Sequence, residues 1–273
     1  MQPPFRFLFE TNPHEPTNSM RNRPFFFIAP LLAACVMTPL LSGCGGKGDS
    51  TVANPSDKDI SISLLADGSV RLELVKLPNG MWFGKTEVTQ AQWEAVAGEN
   101  PSYYPDRDLP VIDVTWDDCQ MFLRRLNALP EIKRTGLVFR LPTSEEWTYA
   151  CRAGAENDFC RLSDGKDVTP ETLGRVAWFK ANNDDNKFGN KAPRPVGGKE
   201  PNAFGLFDML GNVREWCQDE VVQMDPSSTG ERYAHMHVFL GGGCCNSVCT
   251  ASNWDFAKDG DDIGFRVCAA SAE

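Results

Sequence analysis

Two carboxylates bracket a tight polar bend in the stretch 205–217 (GLFDMLGNVREWC). Asp208 lies before the bend at Gly211-Asn212 and Glu215 lies after it, with apolar side chains anchoring both ends. An irregular bend frees backbone carbonyls, and carbonyl and carboxylate oxygens are the ligands that a hard cation such as calcium prefers. The alternative is a buried turn whose acids accept hydrogen bonds from backbone N–H groups. The spacing alone is compatible with both.

Cysteines are the second group of residues that could do chemistry. Apart from Cys35 and Cys44 near the N-terminus, eight of the ten remain: Cys119, Cys151, Cys160, Cys217, Cys244, Cys245, Cys249 and Cys268. An even number fits disulfide pairing, although the connectivity does not follow from the sequence. No C-x-x-C pair occurs, so a zinc ribbon is not expected. Three cysteines follow a glycine run in the segment 241–249 (GGGCCNSVC), which requires unusual backbone angles.

The histidines and arginines give weaker indications of a functional site. His235 and His237 are two residues apart and could hold a metal together with a carboxylate, but a solvent-facing row on a strand is the simpler interpretation. Arg140 and Arg266 are predicted to be structural, each bonding backbone carbonyls or a carboxylate. The turn-rich segment 182–190 does not match the spacing of an EF-hand, and the sequence has no nucleophile elbow, P-loop or dinucleotide fingerprint.

The charge balance restricts the partners. The chain has 273 residues, with 27 Lys and Arg against 37 Asp and Glu, and a net charge of −10. Because nucleic-acid phosphates need Lys and Arg, this acidic chain without a basic run is not expected to bind nucleic acid. It has equally little basis for electrostatic docking on anionic lipid.

The N-terminal region has the pattern of a secretory signal. Arg21 and Arg23 precede an apolar run at 24–41, and small residues follow at 42–46. The ending Leu41-Ser-Gly-Cys44 resembles the lipobox of bacterial lipoproteins, which implies that Cys44 carries a lipid anchor. The alternative is ordinary secretion with Cys44 as a plain cysteine, and Met20 is an alternative start.

Three regions follow from this pattern. Residues 1–43 form an N-terminal extension and lipoprotein signal peptide, residues 44–60 a flexible tether rich in small polar residues, and residues 61–273 one large domain. Export allows disulfides to form, since the compartment outside the cytosol is oxidising.

Elements that must position these residues can be read from local signals. Capping-box patterns at Thr89 and Thr143, with an acidic first turn after Thr115, predict three helices, of which the last is expected to end at Gly154. Alternating apolar residues predict strands at 69–75, 81–88 and 235–240, an extended run at 110–114 and a closing strand at 263–268. Few regular elements and many loops favour an irregular α+β domain.

Five sequence units occur in an order that resembles the sulfatase-modifying factor family, the formylglycine-generating enzyme domain. They are PVIDVTWDD, FRLPTSEEWTYACRAG, PVGGKEPNAFGLFDMLGNVREW, GGG and IGFRV, and the resemblance runs from Trp82 to Ala269. It implies a loop-rich α+β fold related to C-type lectin-like folds. It also implies an enzyme that uses oxygen, copper(I) and a cysteine pair to oxidise a cysteine of a client sulfatase to formylglycine, although other relatives have different activities or none established.

The resemblance implies a calcium site in the bend. The ligands would be the side chains of Asp208 and Glu215 and the backbone carbonyls of Gly211 and Val213. The family's second calcium site, some residues earlier in the chain, has no match in this sequence.

The cysteine cluster departs from the family pattern. The glycines lack the serine that follows them in active enzymes, and the candidate catalytic pair, Cys245 and Cys249, is four residues apart instead of five. Two thiolates could hold copper(I). The resemblance equally implies a structural disulfide between Cys249 and Cys151. It further implies a disulfide between Cys119 and Cys268, each displaced slightly from the family position.

Two hypotheses about function follow. The first is an exported, lipid-anchored enzyme of the formylglycine-generating type that acts on a client protein such as a sulfatase. The second is a non-catalytic, lectin-like binding or scaffold module for an envelope glycan or protein. Both place the chain in the bacterial cell envelope, at the outer membrane or facing the periplasm.

Overall fold

The computed structural model describes residues 59–184, 187–189, 192–224, 233–246, 249–252, 255–257 and 262–272. All of them belong to a compact unit that spans residues 52–273. The predicted signal peptide, most of the tether and Cys44 lie outside the described residues. Among the residues described, no helix has the length and apolar character needed to cross a membrane.

Within the described ranges there are four α-helices: three begin where the local signals place them, and the fourth, which was not predicted, begins at Pro130. They are α1 (Gln90–Ala97), α2 (Trp116–Ala128), α3 (Pro130–Lys133) and α4 (Ser144–Arg152). Thr89, Thr115 and Thr143 each accept a hydrogen bond from the backbone N–H three residues on, and the side chain at that position bonds back. The predicted end of α4 is one residue late, since Ala153 takes the left-handed conformation with φ 48°.

Nine strands of the described part of the chain form two sheets. They are β1 (Asp59–Ser63), β2 (Arg71–Lys76), β3 (Trp82–Gly84), β4 (Leu137–Arg140), β5 (Arg214–Met224), β6 (Tyr233–Leu240), β7 (Asp255–Ala257), β8 (Ile263–Gly264) and β9 (Cys268–Ser271). One sheet has the order β1-β2-β3-β9-β4 with all pairs antiparallel, and the other has the order β7-β6-β5-β8. In the second sheet β5 and β8 are parallel. The predicted α+β class is confirmed.

The predicted closing strand is wrong as a single element. The stretch 263–268 starts in the second sheet as β8 and reaches the first sheet only at β9. Between them the backbone bonds to the end of β3 and to the segment that follows it, because Val267 O accepts from Gly84 N at 2.8 Å and Phe265 O accepts from Val88 N at 2.9 Å. The segment therefore links the two sheets and carries Arg266 through the interior between them.

Strand β3 is also shorter than predicted, and β5 was not predicted at all. Residues 85–88 leave the sheet after Gly84 and run beside the bend, where Lys85 O accepts a hydrogen bond from Phe207 N. Strand β5 begins directly after the bend at Arg214. The two hydrophobic clusters of the core both receive side chains from the bend region, Trp216 in one and Leu206, Met209 and Leu210 in the other.

Candidate functional site

The bend at 208–212 is buried and has an uncommon backbone. Asp208, Gly211 and Asn212 all have positive φ angles, of 54°, 86° and 58°. Non-glycine residues rarely adopt such angles, so the surroundings must enforce them. They do so through hydrogen bonds: Asn212 N donates to Trp178 O at 2.8 Å and Gly211 N donates to Gly241 O at 3.1 Å.

Glu215 and Arg266 form an ion pair in the interior, and both side chains are fully buried. Arg266 Nη2 lies 2.8 Å from Glu215 Oε1, and Arg266 Nε lies 2.9 Å from Oε2. Trp147 Nε1 also donates to Oε2 at 2.7 Å. The remaining guanidinium N–H groups reach the carbonyls of Gly84 and Phe207. The sequence prediction that Arg266 is structural is confirmed.

Electrostatics within this pair favour the charged form of Arg266. Burial by itself would lower the pKa of Arg266, but the Glu215 carboxylate, through its charge and its hydrogen bonds, raises that pKa overall. Truncating one partner would leave a buried charge without compensation. The pair thus joins the start of β5 to the segment between β8 and β9.

Two further carboxylates lie in the same interior. Glu87 Oε1 accepts from Asn212 Nδ2 at 3.0 Å, and Asp208 Oδ2 accepts from Gly197 N at 2.6 Å. Burial, and then the charge of Asp208, raise the pKa of Glu87 well above its usual range. Burial raises the pKa of Asp208 to about 6. The interpretation that an acid of the bend bonds a backbone N–H is confirmed for one oxygen of Asp208.

The implied calcium ligands fit unevenly. Asp208 has a second buried oxygen with no hydrogen-bond partner among the described residues, as a cation ligand would. Glu215 instead directs both oxygens to Arg266 and Trp147. Within the described ranges no group of three or more His, Cys, Asp or Glu side chains lies together as metal ligands. Gly211 and Val213 are buried in the bend, and calcium binding by this set stays a prediction.

The glycine-cysteine turn is attached to the bend. Cys244 N donates to Asn212 O at 2.9 Å. Gly241 has a φ of 96°, and a Cβ there would lie 3.0 Å from the Trp147 ring. The bend and the ring of Trp147 therefore set the position of the turn that carries the cysteines.

The three cysteines of the turn have different surroundings. Cys244 is buried, Cys245 is exposed, and their Sγ atoms are 3.8 Å apart. Cys249 is fully buried, with its Sγ 3.7 Å from Gly243 O. Burial raises the pKa of the Cys249 thiol to about 12, and burial followed by the neighbouring Cys245 raises that of Cys244. The predicted catalytic residues, Cys245 and Cys249, are thus divided between the surface and the core.

The cysteine turn borders a small cleft with an enclosed volume of about 20 Å³. Cys244, Cys245, Arg214 and Asp262 line it together with apolar side chains that include Ile112. The buried Arg214 Nε has no hydrogen-bond partner among the residues described. Sequence reasoning missed both charged residues of the cleft. The available signal was only that each adjoins a recognised unit, Arg214 beside Glu215 and Asp262 before IGFRV.

The cysteines of the two predicted disulfides are buried thiols in this structure: Cys119, Cys151, Cys249 and Cys268. Cys151 and Cys249 share one core cluster, whereas Cys119 belongs to the other cluster from Cys268. Both pairings stay predictions. The two histidines lie on β6 as expected, with His235 exposed against Glu220 and His237 stacked on Trp116 at 3.9 Å between ring centroids.

We expect a thiol reagent to distinguish these cysteines in the reduced, folded protein. Iodoacetamide should modify Cys245 within minutes and leave Cys249 and Cys151 unmodified until the domain unfolds, because only Cys245 is exposed. Peptide mass mapping measures this, with Cys245→Ser as the control. Equal labelling of Cys245 and Cys249 under native conditions would contradict the burial described for Cys249.

Comparison with known proteins agrees with this fold. The model of the sulfatase-modifying factor enzyme 1-like domain matches residues 51–271. The chain belongs to this family. In the fold, Treponema denticola variable protein 1 is similar, with a TM-score of 0.59 and 22% identity over 77% of this chain and 98% of that structure.

This chain aligns with two relatives over different shares of their length. Chaperone protein LppX of Paenibacillus barcinonensis is 29% identical over 83% of this chain and 93% of the relative. The formylglycine-generating enzyme of Thermomonospora curvata is 30% identical over 57% of this chain. The chain spans 47% of that enzyme, about half of its length.

Proposed function

We propose that this member of the sulfatase-modifying factor family binds an extended segment of a client protein at the cleft beside Cys244 and Cys245, and that it does not oxidise the client. The position of Cys249 carries the proposal. Its thiol is enclosed in the core against Gly243 O, while Cys245 is exposed, so the pair that cysteine oxidation would use is separated in its environment.

The full-length relative supports client binding. LppX, which this chain matches over most of both lengths, is named a chaperone protein, whereas the enzyme of T. curvata is matched over about half. The relatives named formylglycine-generating enzymes make a sulfatase a reasonable client class to test first.

The cleft has the chemistry to contact a client segment at its opening. Its enclosed volume is about 20 Å³, about enough for one water molecule, so it does not take up a client side chain. Ile112 supplies apolar surface, while Arg214 and Asp262 place opposite charges at the same opening. An extended segment would therefore lie across the opening and contact both the apolar and the charged groups.

We further propose that Cys44 carries the lipid and that the domain works in the cell envelope, tethered by residues 44–60. The supporting observation is the sequence pattern Leu41-Ser-Gly-Cys44. Metabolic labelling with a clickable fatty acid tests it: the wild-type chain should carry label and Cys44→Ala should not. Label that persists in Cys44→Ala would contradict the anchor.

Client binding is tested with a fluorescently labelled sulfatase in its folded and urea-unfolded states. Each form is diluted into a solution of the full chain, and its fluorescence anisotropy is followed. We expect binding to the unfolded form, weakened at least about fivefold by Arg214→Ala or Asp262→Asn. Arg124→Ala, an exposed arginine on α2, should leave binding unchanged. Failure to bind the unfolded form, or equal weakening by Arg124→Ala, would contradict the proposal.

Oxidation of a client cysteine is the second candidate, and the Cys244–Cys245 pair favours it. Their Sγ atoms, 3.8 Å apart, would be the thiol ligands for copper(I), which in the family activates oxygen. The protonation state of Cys244 suits copper(I) poorly, because burial raises the pKa of its thiol and disfavours the thiolate form. Incubation of the chain with copper(I), oxygen and a C-x-P-x-R peptide distinguishes the two functions. We expect the mass of the peptide to stay unchanged. Formation of formylglycine by the wild-type chain, and its loss in Cys244→Ser, would establish the enzyme.

A further inference from the structure

The loop that follows α1 presents aromatic rings at the surface of the domain. Tyr103 is 78% exposed, the most exposed large hydrophobic side chain in the described part of the chain. Its ring lies edge to face against Tyr104, with 5.0 Å between the centroids, and the Tyr104 ring lies 5.8 Å from that of Phe188. We call these three residues the aromatic ledge. A single exposed ring would need no explanation, whereas a contiguous row of rings indicates an interaction site.

Hydrogen bonds to one buried side chain and one carboxylate hold the loop that carries the ledge. Gln90 is buried, its Nε2 donates to Tyr104 O at 2.8 Å, and its Oε1 accepts from Asp106 N at 3.0 Å. Tyr103 N donates to Asp113 Oδ2 at 3.0 Å. The exposed ring therefore lies on a backbone that is fixed at several points. Binding a partner there requires little further ordering of the loop, which favours affinity.

The ledge is continuous with the cleft at the cysteine turn. Ser102 directly precedes the ledge in sequence, and its Oγ accepts from Ile112 N at 3.1 Å and lies 3.3 Å from Ile112 O. Ile112 lines the cleft, and so does Asp262. Burial, and then the charge of Asp262, raise the pKa of Tyr104 above its usual range. A segment that crosses the opening of the cleft would therefore continue onto the ledge.

The cleft alone does not account for selective binding of an unfolded client. Its enclosed volume of about 20 Å³ takes up no side chain. An unfolded chain differs from its folded form chiefly because it exposes aromatic and aliphatic side chains that folding buries. A surface that distinguishes the two forms must therefore offer apolar area. The ledge offers that area directly beside the cleft.

The charges beside the ledge are balanced. Lys187 Nζ lies 4.8 Å from the centroid of the Phe188 ring and forms an ion pair with Asp106. The Asp113 carboxylate accepts the hydrogen bond from Tyr103 N. These groups leave the faces and edges of the rings as the main surface on offer. Rings of this kind pair favourably with another aromatic ring, edge to face or offset.

We propose that the aromatic ledge binds an aromatic side chain of the client segment that crosses the cleft, and that it thereby gives the domain a preference for unfolded clients. This inference rests on the function proposed above and names the class of segment, which is extended and carries a phenylalanine, tyrosine or tryptophan. The client ring packs against Tyr103 and Tyr104. Arg214 and Asp262 contact the client at the cleft, whether or not it carries that ring.

Two fluorescently labelled peptides test the proposal by anisotropy with the full chain. Both are the same short segment of the sulfatase, with one central phenylalanine in the first and alanine in its place in the second. We expect the wild-type chain to bind the phenylalanine peptide at least about fivefold more tightly, as one aromatic contact allows. Tyr103→Ala should bind both peptides with the affinity that the wild-type chain has for the alanine peptide.

Matched variants separate the effect of the ring from an effect on folding. Tyr103→Phe keeps the ring and should keep the preference. Tyr149→Ala removes another exposed tyrosine, on α4, whose ring contacts Phe204, and should leave both affinities unchanged. Because the Tyr103 side chain is largely exposed, Tyr103→Ala should unfold at the Tm of the wild-type chain.

The results that would overturn the proposal can be told apart. Equal binding of both peptides by the wild-type chain, weakened by Arg214→Ala, would refute the ledge and leave client binding at the cleft in place. Binding of neither peptide would refute the proposed function and the ledge with it. Displacement of the phenylalanine peptide by a neutral oligosaccharide such as maltopentaose would show that the ledge is a glycan site instead.

Discussion

Replacing Arg266 by methionine is expected to lower the free energy of unfolding by about 3–5 kcal/mol, a value typical of breaking one side of a buried ion pair. The guanidinium is fully buried and bonds Glu215 together with two backbone carbonyls. Without it Glu215 remains buried as an uncompensated acid beside Glu87 and Asp208, and the Gly84 and Phe207 carbonyls each lose a donor. Urea unfolding followed by tryptophan fluorescence measures the loss.

Arg140→Met is the matched control for this prediction. Arg140 also pairs with a glutamate, Glu146, but both side chains are partly exposed. Solvent screens such a pair, so its loss should cost about 1 kcal/mol or less. If Arg266→Met does not fold well enough to measure, Arg266→Lys keeps the charge with fewer donors and should fall between the two. A cost for Arg266→Met no larger than that for Arg140→Met would refute the central role of the pair.

Gly211→Ala is expected to destabilise the domain nearly as strongly. A Cβ at this position would lie 2.2 Å from Trp178 O, a backbone atom that cannot move aside without shifting the chain. Gly211 also has a φ of 86°, which costs an alanine about 1–2 kcal/mol even in open space. The combined loss should exceed about 3 kcal/mol, by analogy with the largest effects of backbone strain and overpacking.

Gly80→Ala separates the two contributions. Gly80 has a φ of 89°, close to that of Gly211, but a Cβ there would meet none of the described atoms within 4 Å. Its substitution should therefore report the backbone cost alone. We expect Gly211→Ala to exceed Gly80→Ala by at least about 2 kcal/mol in thermal or urea unfolding. Similar losses for both variants would show that Trp178 does not confine the bend.

Local signals in the sequence predicted α1, α2 and α4, but they did not predict the short helix α3. Thr89, Thr115 and Thr143 cap helices through hydrogen bonds to residues three positions away, so the information lies within a few residues. The strands were predicted less well. β5 follows a polar bend and contains charged residues, and β8 and β9 join different sheets, so both depend on partners far along the chain.

The candidate site shows the same division. Asp208 and Glu215 could be singled out from their spacing around the bend. Glu87 could not, because its only local context is a position two residues before a helix cap, and it reaches Asn212 across 125 positions. The pairing of Glu215 with Arg266 crosses 51 positions, so no local pattern around Glu215 predicts it.

By itself the sequence determined the residue types available for chemistry, the helix caps and the five ordered units that mark the family. Only the tertiary structure decided how those residues are used. It places Cys249 in the core and Cys245 at the surface, and it gives Glu215 to Arg266 while leaving one oxygen each of Glu87 and Asp208 without a hydrogen-bond partner among the described residues. The physical reason is that burial and charge balance depend on contacts between distant segments, which no local pattern records.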